Sequence, residues 1–326
     1  MKPKFDVISI GDTTEDIFME LEEETKVLKD KKGTKYLGLV FAEKIAVTKV
    51  TDVLAVGNAA NVAVGSSRLG LKTALYTMLG DDDAGKEMAQ VLQREGVAKD
   101  YIVFDKKRKS NLSVVLNYKA ERTILVHHEK REYSLPKLAA SRWLYFTSLG
   151  QGHGKLHTQI PRYVKRHKVK LAFNPGSHQL AEGVRKLLPI LNVTTVLFVN
   201  KEEAQTLVGK EKDIKRLLAK LRELGPDVAV ITDGPKGSFA SNGVHTHFLP
   251  IFPAPLVERT GAGDSYGMGF VAALAHGKTV SEAMRWGTVN SAFVIGKIGA
   301  REGLLKKGEM AKILKNHPRF RSKRVV

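Results

Sequence analysis

The middle of the chain alternates short apolar runs with longer segments of helical pattern, and this rhythm restricts the fold more than any other feature. Runs rich in β-branched and aromatic residues predict four strands: Trp143–Thr147, Lys170–Phe173, Thr195–Val199 and Val228–Thr232. Helical segments lie between them, including Ile214–Leu224. Strands spaced in this way favour right-handed crossovers and a mainly parallel sheet with helices on both faces. The sequence therefore predicts a three-layer α/β/α fold.

Two β-rich segments lie outside this pattern, at about residues 14–50 and 110–128. In the second, Leu112–Leu116 and Thr123–His127 flank the polar stretch 117–121, which predicts a hairpin. The chain contains no internal repeat and no convincing linker. We therefore expect residues 1–326 to form a single domain in which the two segments build a small β-sheet lid over the α/β core.

The charge of the chain leaves two classes of function open. The 53 Lys and Arg residues exceed the 34 Asp and Glu residues by 19, which suits either a nucleic-acid binder or an enzyme that handles anions. The positive charge is scattered, and its densest part is a basic tail, 306–326, where eight Lys and Arg residues stand against Glu309 alone. Few aromatic residues accompany it and no recognised binding motif is present, so nucleic acid is not favoured as a partner.

Two absences from the sequence narrow the chemistry and the location. The chain has no Cys, which excludes disulfides, thiol nucleophiles and cysteine-ligated metal centres. No apolar run approaches the roughly 20 residues that cross a bilayer. The N-terminus leads into a short strand, Phe5–Ile10, instead of a signal peptide. We therefore expect a cytoplasmic protein that does not contact membranes.

The motif that most directly indicates chemistry is the glycine-rich turn Thr260-Gly-Ala-Gly-Asp264, which opens a predicted helix. A helix start carries unpaired N–H groups and a partial positive charge, so it binds anions, and Gly261 and Gly263 allow a close approach to the backbone. Asp264 lies in the first turn, where its carboxylate can reach a substrate hydroxyl. This combination suits phosphoryl transfer to an alcohol, although the pentapeptide alone is equally compatible with a helix start whose glycines serve only packing.

Two better-known glycine motifs are absent. The chain contains no G-x-x-x-x-G-K-[ST] sequence, which excludes a P-loop enzyme. Gly267 follows Gly263 one residue too late for G-x-G-x-x-G. Because no strand directly precedes the turn either, a dinucleotide site is not favoured.

Taken with other motifs, the turn resembles a signature of the ribokinase-like (PfkB-type) carbohydrate kinases. That family's D-T-T-G-A-G-D is similar to residues 258–264 here, and its G-G-N-x-A-N-x-A is similar to Gly57-Asn58-Ala-Ala-Asn61 followed by Ala63. The remaining matches are Arg68-Leu69-Gly70, Gly80-Asp81-Asp82-x-x-Gly85, Asn200-Lys-Glu-Glu203-Ala204 for N-x-x-E, and Thr232-Asp-Gly-Pro-Lys-Gly237 for the nucleotide loop T-x-G-x-x-G. Six motifs in the family's order, between about Asp6 and Leu305, make the resemblance specific.

The resemblance implies a ribokinase-like fold, ATP as the phosphoryl donor, Mg²⁺ as a cofactor, and a sugar or nucleoside hydroxyl as the acceptor. It makes Asp264 the general base and the backbone N–H groups of Gly261, Ala262 and Gly263 the anion hole. The other residues that it assigns are Asp16, Gly57, Asn58 and Asn61 for the acceptor, Thr232, Gly234, Gly237 and Asn290 for the nucleotide, and Asn200 and Glu203 for Mg²⁺ through water.

Several departures from the family pattern leave questions open. Glu258-Arg259 replaces the usual Asp-Thr, and the arginine either clamps phosphates or pairs with the glutamate beside it. Val56 replaces the first glycine of the Gly-Gly pair, so the acceptor's identity is not carried over. Asp12 offers a second carboxylate near Asp16, and either one is a candidate for the acceptor contact. Arg122 resembles the family's lid arginine and either binds substrate or is an exposed strand charge.

The acceptor class stays open at the level of the sequence. A nucleoside needs an aromatic or apolar clamp for its base, which Tyr36 or Phe41 in the lid would supply, whereas a simple sugar needs only polar groups. A phosphorylated sugar would recruit Arg259 or Arg122. Outside enzymes, the alternative is a nucleotide- or nucleic-acid-binding protein on a kinase scaffold, and the intact Asp264 argues against it. The exposed strands of the lid also suggest a homodimer in which the two lids cover each other.

Two pairs of histidines are candidates for metal ligands. His245-x-His247 would place two imidazoles on one strand face, but no third ligand with suitable spacing lies nearby, so we expect an exposed hairpin there. His127 and His128 would point to opposite faces of a strand. They therefore cannot bind one ion together. Either one is a candidate for a position under the lid.

Overall fold

Strands and helices alternate along most of the chain in a computed structural model, which describes residues 3–22, 25–119 and 121–325. The strands are β1 (Phe5–Ile10), β2 (Thr14–Leu21), β3 (Lys26–Lys29), β4 (Lys35–Gly38), β5 (Val47–Val56), β6 (Thr73–Gly80), β7 (Val97–Ala98), β8 (Ile102–Asp105), β9 (Asn111–Tyr118), β10 (Glu121–His127), β11 (Ser141–Phe146), β12 (Lys170–Phe173), β13 (Val196–Asn200), β14 (Val228–Thr232), β15 (Ser238–Ser241), β16 (Thr246–Leu249) and β17 (Lys323–Val325). The helices are α1 (Asn58–Arg68), α2 (Asp83–Arg94), α3 (Leu156–His167), α4 (Ser177–Ala181), α5 (Val184–Leu191), α6 (Lys201–Val208), α7 (Ile214–Glu223), α8 (Ala262–Ala275), α9 (Val280–Val294) and α10 (Lys307–Asn316).

The central sheet runs in the order β17-β16-β15-β14-β13-β12-β11-β1-β6-β7, with β8 also paired to β6. From β6 to β14 every pairing is parallel. The edge from β14 to β17 is antiparallel. The four strands predicted from the alternating rhythm are β11 to β14, and the predicted mostly parallel sheet is confirmed.

Alternate residues of the central strands enter two separate hydrophobic cores. Val7 and Trp143 pack into a core that includes residues of α1, α8 and α9. Their neighbours Ile8 and Leu144 pack on the other face, with residues of α3, α5 and α7. Because both faces are covered, these strands are apolar along their whole length, which is why they stand out in the sequence.

A separate four-stranded sheet forms the lid, in the order β10-β9-β2-β5. The central pair β2 and β9 is parallel, and each outer strand is antiparallel to its neighbour. The hairpin β3-β4 forms a further two-stranded sheet. The predicted hairpin of residues 112–127 is β9 and β10, whereas β5 extends to Val56, beyond the predicted end of its segment at residue 50.

Residues 306–325 of the basic segment include a helix, α10, and a strand, β17. α10 packs against α9, and β17 adds an edge strand to the central sheet by pairing with β16. Phe320 lies with its ring centroid 5.1 Å from that of Phe252. The eight Lys and Arg side chains of the segment are exposed, so its charge is solvated. No helix within the described residues is both long and apolar enough to cross a membrane.

The predicted hairpin around His245 and His247 is present as β15 and β16. Its outer edge is covered, because β17 pairs with β16 and brings Arg324 opposite His247. Both histidines are therefore half-buried, and the expectation that this hairpin is exposed is corrected.

Candidate active site

The glycine-rich turn forms the start of α8 and leaves room for a ligand. Gly261 has a left-handed φ of 74°, and a Cβ atom there would lie 2.5 Å from the Cβ of Ala300, so only glycine fits. Gly263 borders open space, since nothing lies within 4 Å of the place that its Cβ would take. The Ala262 N–H donates a 3.4 Å bond to the Arg259 carbonyl. The open side of this helix start is therefore beside Gly263.

Asp264 is the buried carboxylate of this helix start, and it is 9% exposed. Its Oδ2 accepts a 3.0 Å hydrogen bond from Nδ2 of Asn61 in α1, 203 residues away in sequence. Burial raises the pKa of Asp264 to about 6; the bond from Asn61 opposes this shift, and the Glu203 carboxylate adds to it. A carboxylate with a pKa close to neutral pH is well suited to accept a proton.

Asn61 has a different contact from the one that the sequence predicts. Instead of facing only an acceptor, its amide nitrogen binds the Asp264 carboxylate. Its Oδ1 is buried and has no hydrogen-bond partner among the described residues. Asn61 therefore orients Asp264 and keeps one acceptor atom free.

Asp12 in the loop after β1 and Asp16 in β2 are held in different ways. Asp12 Oδ1 accepts a 2.6 Å bond from the Tyr133 hydroxyl, and its Oδ2 accepts bonds from the Gly150 N–H at 2.7 Å and from His128 Nδ1 at 3.1 Å. Both oxygens of Asp12 are thus occupied by the protein. Sequence reasoning identified Asp12 but not its three partners, which come from distant segments.

Asp16 is the acidic residue with free hydrogen-bonding capacity. It is 9% exposed, and its buried Oδ1 has no partner among the described residues. Burial raises its pKa to about 6; a bond from Ser113 opposes the shift, the Glu258 carboxylate adds to it, and His128 and Arg301 oppose it. A buried, unsatisfied carboxylate oxygen is costly unless a ligand completes it. This observation favours Asp16 over Asp12 as the acceptor contact.

Gly57 and Asn58 lie at the start of α1, next to the loop after β1. Gly57 has a φ of 100°, and a Cβ atom there would stand 3.0 Å from the Asp12 carbonyl. The absence of a side chain therefore lets α1 begin directly against the loop that carries Asp12. Val56, which replaces the family's first glycine, is 1% exposed, so it is enclosed in the protein and leaves the open surface unchanged.

The loop before α8 carries Glu258 and Arg259, which do not pair with each other. Glu258 is buried, and it accepts hydrogen bonds from the Gly299 N–H at 2.7 Å and from the Thr260 hydroxyl. Its nearest cation is Arg122 of the lid, with 3.9 Å between Nε and Oε1. Arg259 itself is exposed. The alternative in which Arg259 pairs with Glu258 is therefore wrong, and Arg122 takes that place.

The residues proposed for the nucleotide and for Mg²⁺ lie at the ends of two neighbouring strands. Asn200 at the end of β13 pairs in register with Thr232 at the end of β14. Asn200 caps α6 by accepting a 2.8 Å bond from the Glu203 N–H, and the Glu203 carboxylate accepts one from the Asn200 N–H. Burial raises the pKa of Glu203. The structure therefore places Asn200 and Glu203 together and beside the Thr232 loop.

Two glycines shape the loop that follows β14. Gly234 is exposed and has a φ of 50°. Gly237 is buried, and a Cβ atom there would overlap the Leu249 carbonyl. Gly237 is therefore required for the close packing of the loop, whereas Gly234 leaves its backbone open to a ligand.

Asn290 does not lie where the sequence prediction places it. The residue is fully buried in α9; its Nδ2 donates a 3.1 Å bond to the Ser265 carbonyl, and its Oδ1 accepts a 3.0 Å bond from the Leu305 N–H. Both polar atoms of the amide therefore hold α8 and the segment before α10 in place. The assignment of Asn290 to the nucleotide pocket is corrected to this internal role.

Sequence reasoning also missed Arg301. Its guanidinium donates to the Leu54 carbonyl, while its Nε and Nη1 are buried without partners in the described parts of the chain. The Arg301 charge lowers the pKa of Asp16, so the two groups are near each other. No motif marks this arginine, and only its position after Gly299-Ala300, which packs on Gly261, connects it with the site.

An α/β sheet with a β-sheet lid and a buried carboxylate in the first turn of a glycine-rich helix start is the arrangement of small-molecule kinases. The family model for the pfkB family carbohydrate kinases matches residues 35–307. The chain belongs to this family, and it is a phosphotransferase of the carbohydrate kinase class.

Known proteins resemble the chain over most of its length. An uncharacterised sugar kinase of Archaeoglobus fulgidus is 26% identical over 247 residues, which cover 74% of this chain and 98% of that protein. A nucleoside kinase of Methanothermobacter thermautotrophicus is 26% identical over 265 residues, 78% of this chain and 83% of that one. The structure of Arabidopsis thaliana ribokinase complexed with ribose and ATP superposes with a TM-score of 0.77 at 22% identity, covering 97% of this chain and 99% of that chain. This last likeness establishes the ribokinase fold.

Proposed function

We propose that the protein is an ATP-dependent kinase that transfers the γ-phosphate to a hydroxyl group of a sugar or a related small molecule. The observation that carries the proposal is the buried Asp264 carboxylate, bonded to Asn61 and located in the first turn of α8. A base beside an anion-binding backbone is what phosphoryl transfer to an alcohol needs. The names of the relatives, a sugar kinase and a nucleoside kinase, support the same class of acceptor.

In this proposal Asp264 takes the proton of the acceptor hydroxyl as its oxygen attacks the γ-phosphorus. The bond from Asn61 holds the carboxylate in one orientation. The open N–H groups at the start of α8 stabilise the charge on the phosphoryl group during its transfer, and ADP is the leaving group. The acceptor leaves with the new phosphate ester.

Glu203 is the residue best suited to support Mg²⁺. Its Oε2 accepts the bond from the Asn200 N–H, and its other oxygen has no protein partner among the described residues. Carboxylate oxygens and water are the ligands that Mg²⁺ prefers, so Glu203 fits a water-mediated contact. Because Asn200 Oδ1 already binds the Glu203 N–H, Asn200 acts mainly by positioning Glu203. When bound, Mg²⁺ neutralises charge on the ATP phosphates.

The lid favours a simple sugar over a nucleoside as the acceptor. Phe41 is 96% exposed, so no neighbouring side chain holds its ring in a fixed position. Tyr36 is also exposed, and its hydroxyl donates a 3.0 Å bond to Asp30 within the β3-β4 hairpin. Neither aromatic residue is thus placed to clamp a base. The free Oδ1 of Asp16 suits a sugar hydroxyl, which would donate a hydrogen bond to it.

Replacing Asp16 by Asn is expected to raise the KM for the acceptor by about 10–100-fold, because a hydrogen bond to a charged group contributes about 1.5–3 kcal/mol. The KM for ATP should change less than twofold. ADP release measured against a panel of sugars, sugar phosphates and nucleosides tests this, and it also identifies the acceptor class. Asp52→Asn removes an exposed lid carboxylate and is the matched control. If no member of the panel accelerates ADP release, the proposed activity is wrong; if the Asp16 variant keeps the wild-type KM, the acceptor contact is wrong.

We also propose that two copies associate through their lids. Leu125 and Val126 of β10 point to opposite faces of the strand, yet they are 56% and 61% exposed. β10 is also an edge strand, with backbone groups open to a further strand. Apolar side chains on both faces and an open edge favour coverage by a second lid.

Replacing Val126 by Lys is expected to convert the dimer into a monomer, because a charge on an edge strand opposes association. Size-exclusion chromatography with light scattering measures the mass directly. Val244→Lys places the same charge at an exposed position outside the lid and should leave the dimer intact. A wild-type protein that is monomeric at roughly 10 µM, where specific homodimers commonly persist, would contradict the proposed association.

A further inference from the structure

Outside the candidate active site, the side chains of His153, His157 and Glu182 come together. His153 lies in a single 3₁₀ turn that runs directly into α3, and His157 lies in the first turn of α3. Glu182 follows the last residue of α4. One ligand atom from each of the three residues lies within 4.8 Å of the other two.

The spacing of the two histidines explains why they meet. Residues four apart on a helical segment lie on the same face, and two histidines at this spacing form half of many helical zinc sites. Both imidazoles are buried here, since His153 is only 3% exposed and His157 only 6% exposed. The two rings lie 4.8 Å apart between centroids.

His153 makes a hydrogen bond through Nδ1, which leaves the lone pair of Nε2 without a partner. Its Nδ1–H donates a 2.6 Å bond to the Gly150 carbonyl, so in the neutral ring the proton is on Nδ1. Nε2 then carries a lone pair, is buried without a hydrogen-bond partner among the described residues, and lies 3.5 Å from Oε1 of Glu182. Two electron-rich atoms face each other across this gap, and a positive charge between them would remove the repulsion.

His157 presents the second nitrogen to the same carboxylate. Its Nδ1 lies 3.6 Å from Oε2 of Glu182, beyond hydrogen-bonding distance. Burial lowers the pKa of His157 to about 4, with His153 adding to this shift, Glu182 opposing it and Lys186 adding to it. Because Nδ1 faces the carboxylate without a hydrogen bond to it, this nitrogen is placed to bind a metal ion through its lone pair.

We propose that Nε2 of His153, Nδ1 of His157 and the Glu182 carboxylate bind one divalent cation of the zinc class. Ligand atoms about 2.0–2.1 Å from a tetrahedral Zn²⁺ are roughly 3.4 Å apart. The separations here are similar, at 3.5 Å from His153 Nε2 to Oε1 of Glu182 and 3.6 Å from His157 Nδ1 to its Oε2, so each nitrogen faces a different oxygen of the carboxylate. Two nitrogens and one carboxylate with an open fourth position form a common Zn²⁺ donor set. Nitrogen donors do not suit Mg²⁺, so this site is distinct from one that serves ATP.

The contacts of His153 indicate what the ion would do. A metal-bound histidine is typically fixed by a hydrogen bond from its other nitrogen, and here that bond goes to the Gly150 carbonyl. The N–H of Gly150 in turn donates to Asp12. The ion would thus stabilise residues 150–153 and, through the Gly150 N–H, the loop that carries Asp12. Glu182 is 28% exposed, which gives the ion a path from solvent.

Cobalt titration of the full-length protein, after dialysis against a chelator, tests the site without relying on activity. We expect one equivalent of Co²⁺ to give a visible absorption band of tetrahedral strength, and one equivalent of Zn²⁺ to abolish it. Glu182→Gln and His157→Gln should each weaken binding at least tenfold, since even the loss of an outer-shell partner costs 10–100-fold. Zn²⁺ should also raise the melting temperature of the wild type but not that of Glu182→Gln.

The half-buried pair His245 and His247 provides the control, because its two rings lie 6.3 Å apart between centroids. The double variant His245→Ala/His247→Ala should bind Co²⁺ as the wild type does. Loss of the band in that variant would place the ion elsewhere and overturn the proposal. An absence of stoichiometric binding would overturn it too. Circular dichroism of each metal-free variant separates lost binding from lost folding.

Discussion

Replacing Asp264 by Asn is expected to lower kcat by about 10²–10⁴-fold, the usual contribution of a general base. The amide has nearly the same shape, and its oxygen can still accept the bond from Asn61, but it cannot take the acceptor proton. The nucleotide pocket proposed around Thr232 is untouched, so the dissociation constant of ATP should stay within about twofold. Steady-state kinetics and calorimetric ATP titration measure the two quantities separately.

The pKa of Asp264 adds a pH dependence to the same experiment. With a pKa of about 6, the wild-type carboxylate is ionised above that pH and protonated below it. The rate should therefore fall about tenfold per pH unit below pH 6, because only the ionised form accepts a proton. Asp16 titrates in the same range, but as an acceptor contact it affects KM, so at saturating acceptor the residual kcat of the Asp264→Asn variant should lack this decrease.

The stability of the Asp264→Asn variant should change in the opposite direction from its activity. Burial raises the pKa from 3.8 to about 6, so the folded protein binds this proton more tightly than the unfolded chain does. The ionised carboxylate therefore costs the fold about 3 kcal/mol above pH 6, and wild-type stability from this group increases as the pH falls from about 6 to about 4. The amide that replaces it carries no charge, so we expect a gain of roughly 1–3 kcal/mol at neutral pH.

Asp83→Asn is the matched control, since Asp83 is an exposed carboxylate in the first turn of α2. It should leave both kcat and the melting temperature nearly unchanged. A variant of Asp264 that retains substantial turnover would refute its role as the base. A melting temperature that falls in Asp264→Asn would instead show that the carboxylate stabilises the fold.

The central sheet was predictable because its strands depend on local pattern. β11 to β14 are apolar on both faces, and helical segments separate them, so the rhythm alone identifies them. β17 is different, since Lys-Arg-Val has no strand pattern and takes this form only through its pairing with β16. A short edge strand that depends on a partner distant in sequence cannot be recognised from its own residues.

The candidate site shows the same division between local and distant information. The turn at residues 260–264 and the Gly57-Asn58 helix start are local motifs, and the structure brings them together through Asn61 and Asp264. The difference between Asp12 and Asp16 was not predictable, because it depends on Tyr133, His128 and Gly150 occupying one of them. Asn290 was misassigned for the same reason, since its two partners lie in other elements.

Replacing Gly261 by Ala is expected to lower kcat/KM by at least about 10²-fold, comparable to the loss of an anion-hole donor. The backbone there has a φ of 74°, which disfavours any L side chain. The new Cβ would also lie 2.5 Å from Ala300 Cβ and 2.9 Å from its Cα. Relief of this overlap must move the start of α8, and with it the N–H groups and Asp264.

Gly277→Ala is the control for Gly261→Ala, because it introduces the same backbone strain without a steric overlap that would displace the helix. Gly277 follows the other end of α8 with a φ of 77°, and no atom lies within 4 Å of its Cβ position. Its replacement should cost roughly 1 kcal/mol of stability and leave kcat/KM unchanged. Ala300→Gly removes one of the two overlapping atoms and should partly restore the activity of Gly261→Ala. If Gly261→Ala alone retained wild-type kcat/KM, the backbone at this helix start would not be the group that stabilises the transferred phosphoryl charge.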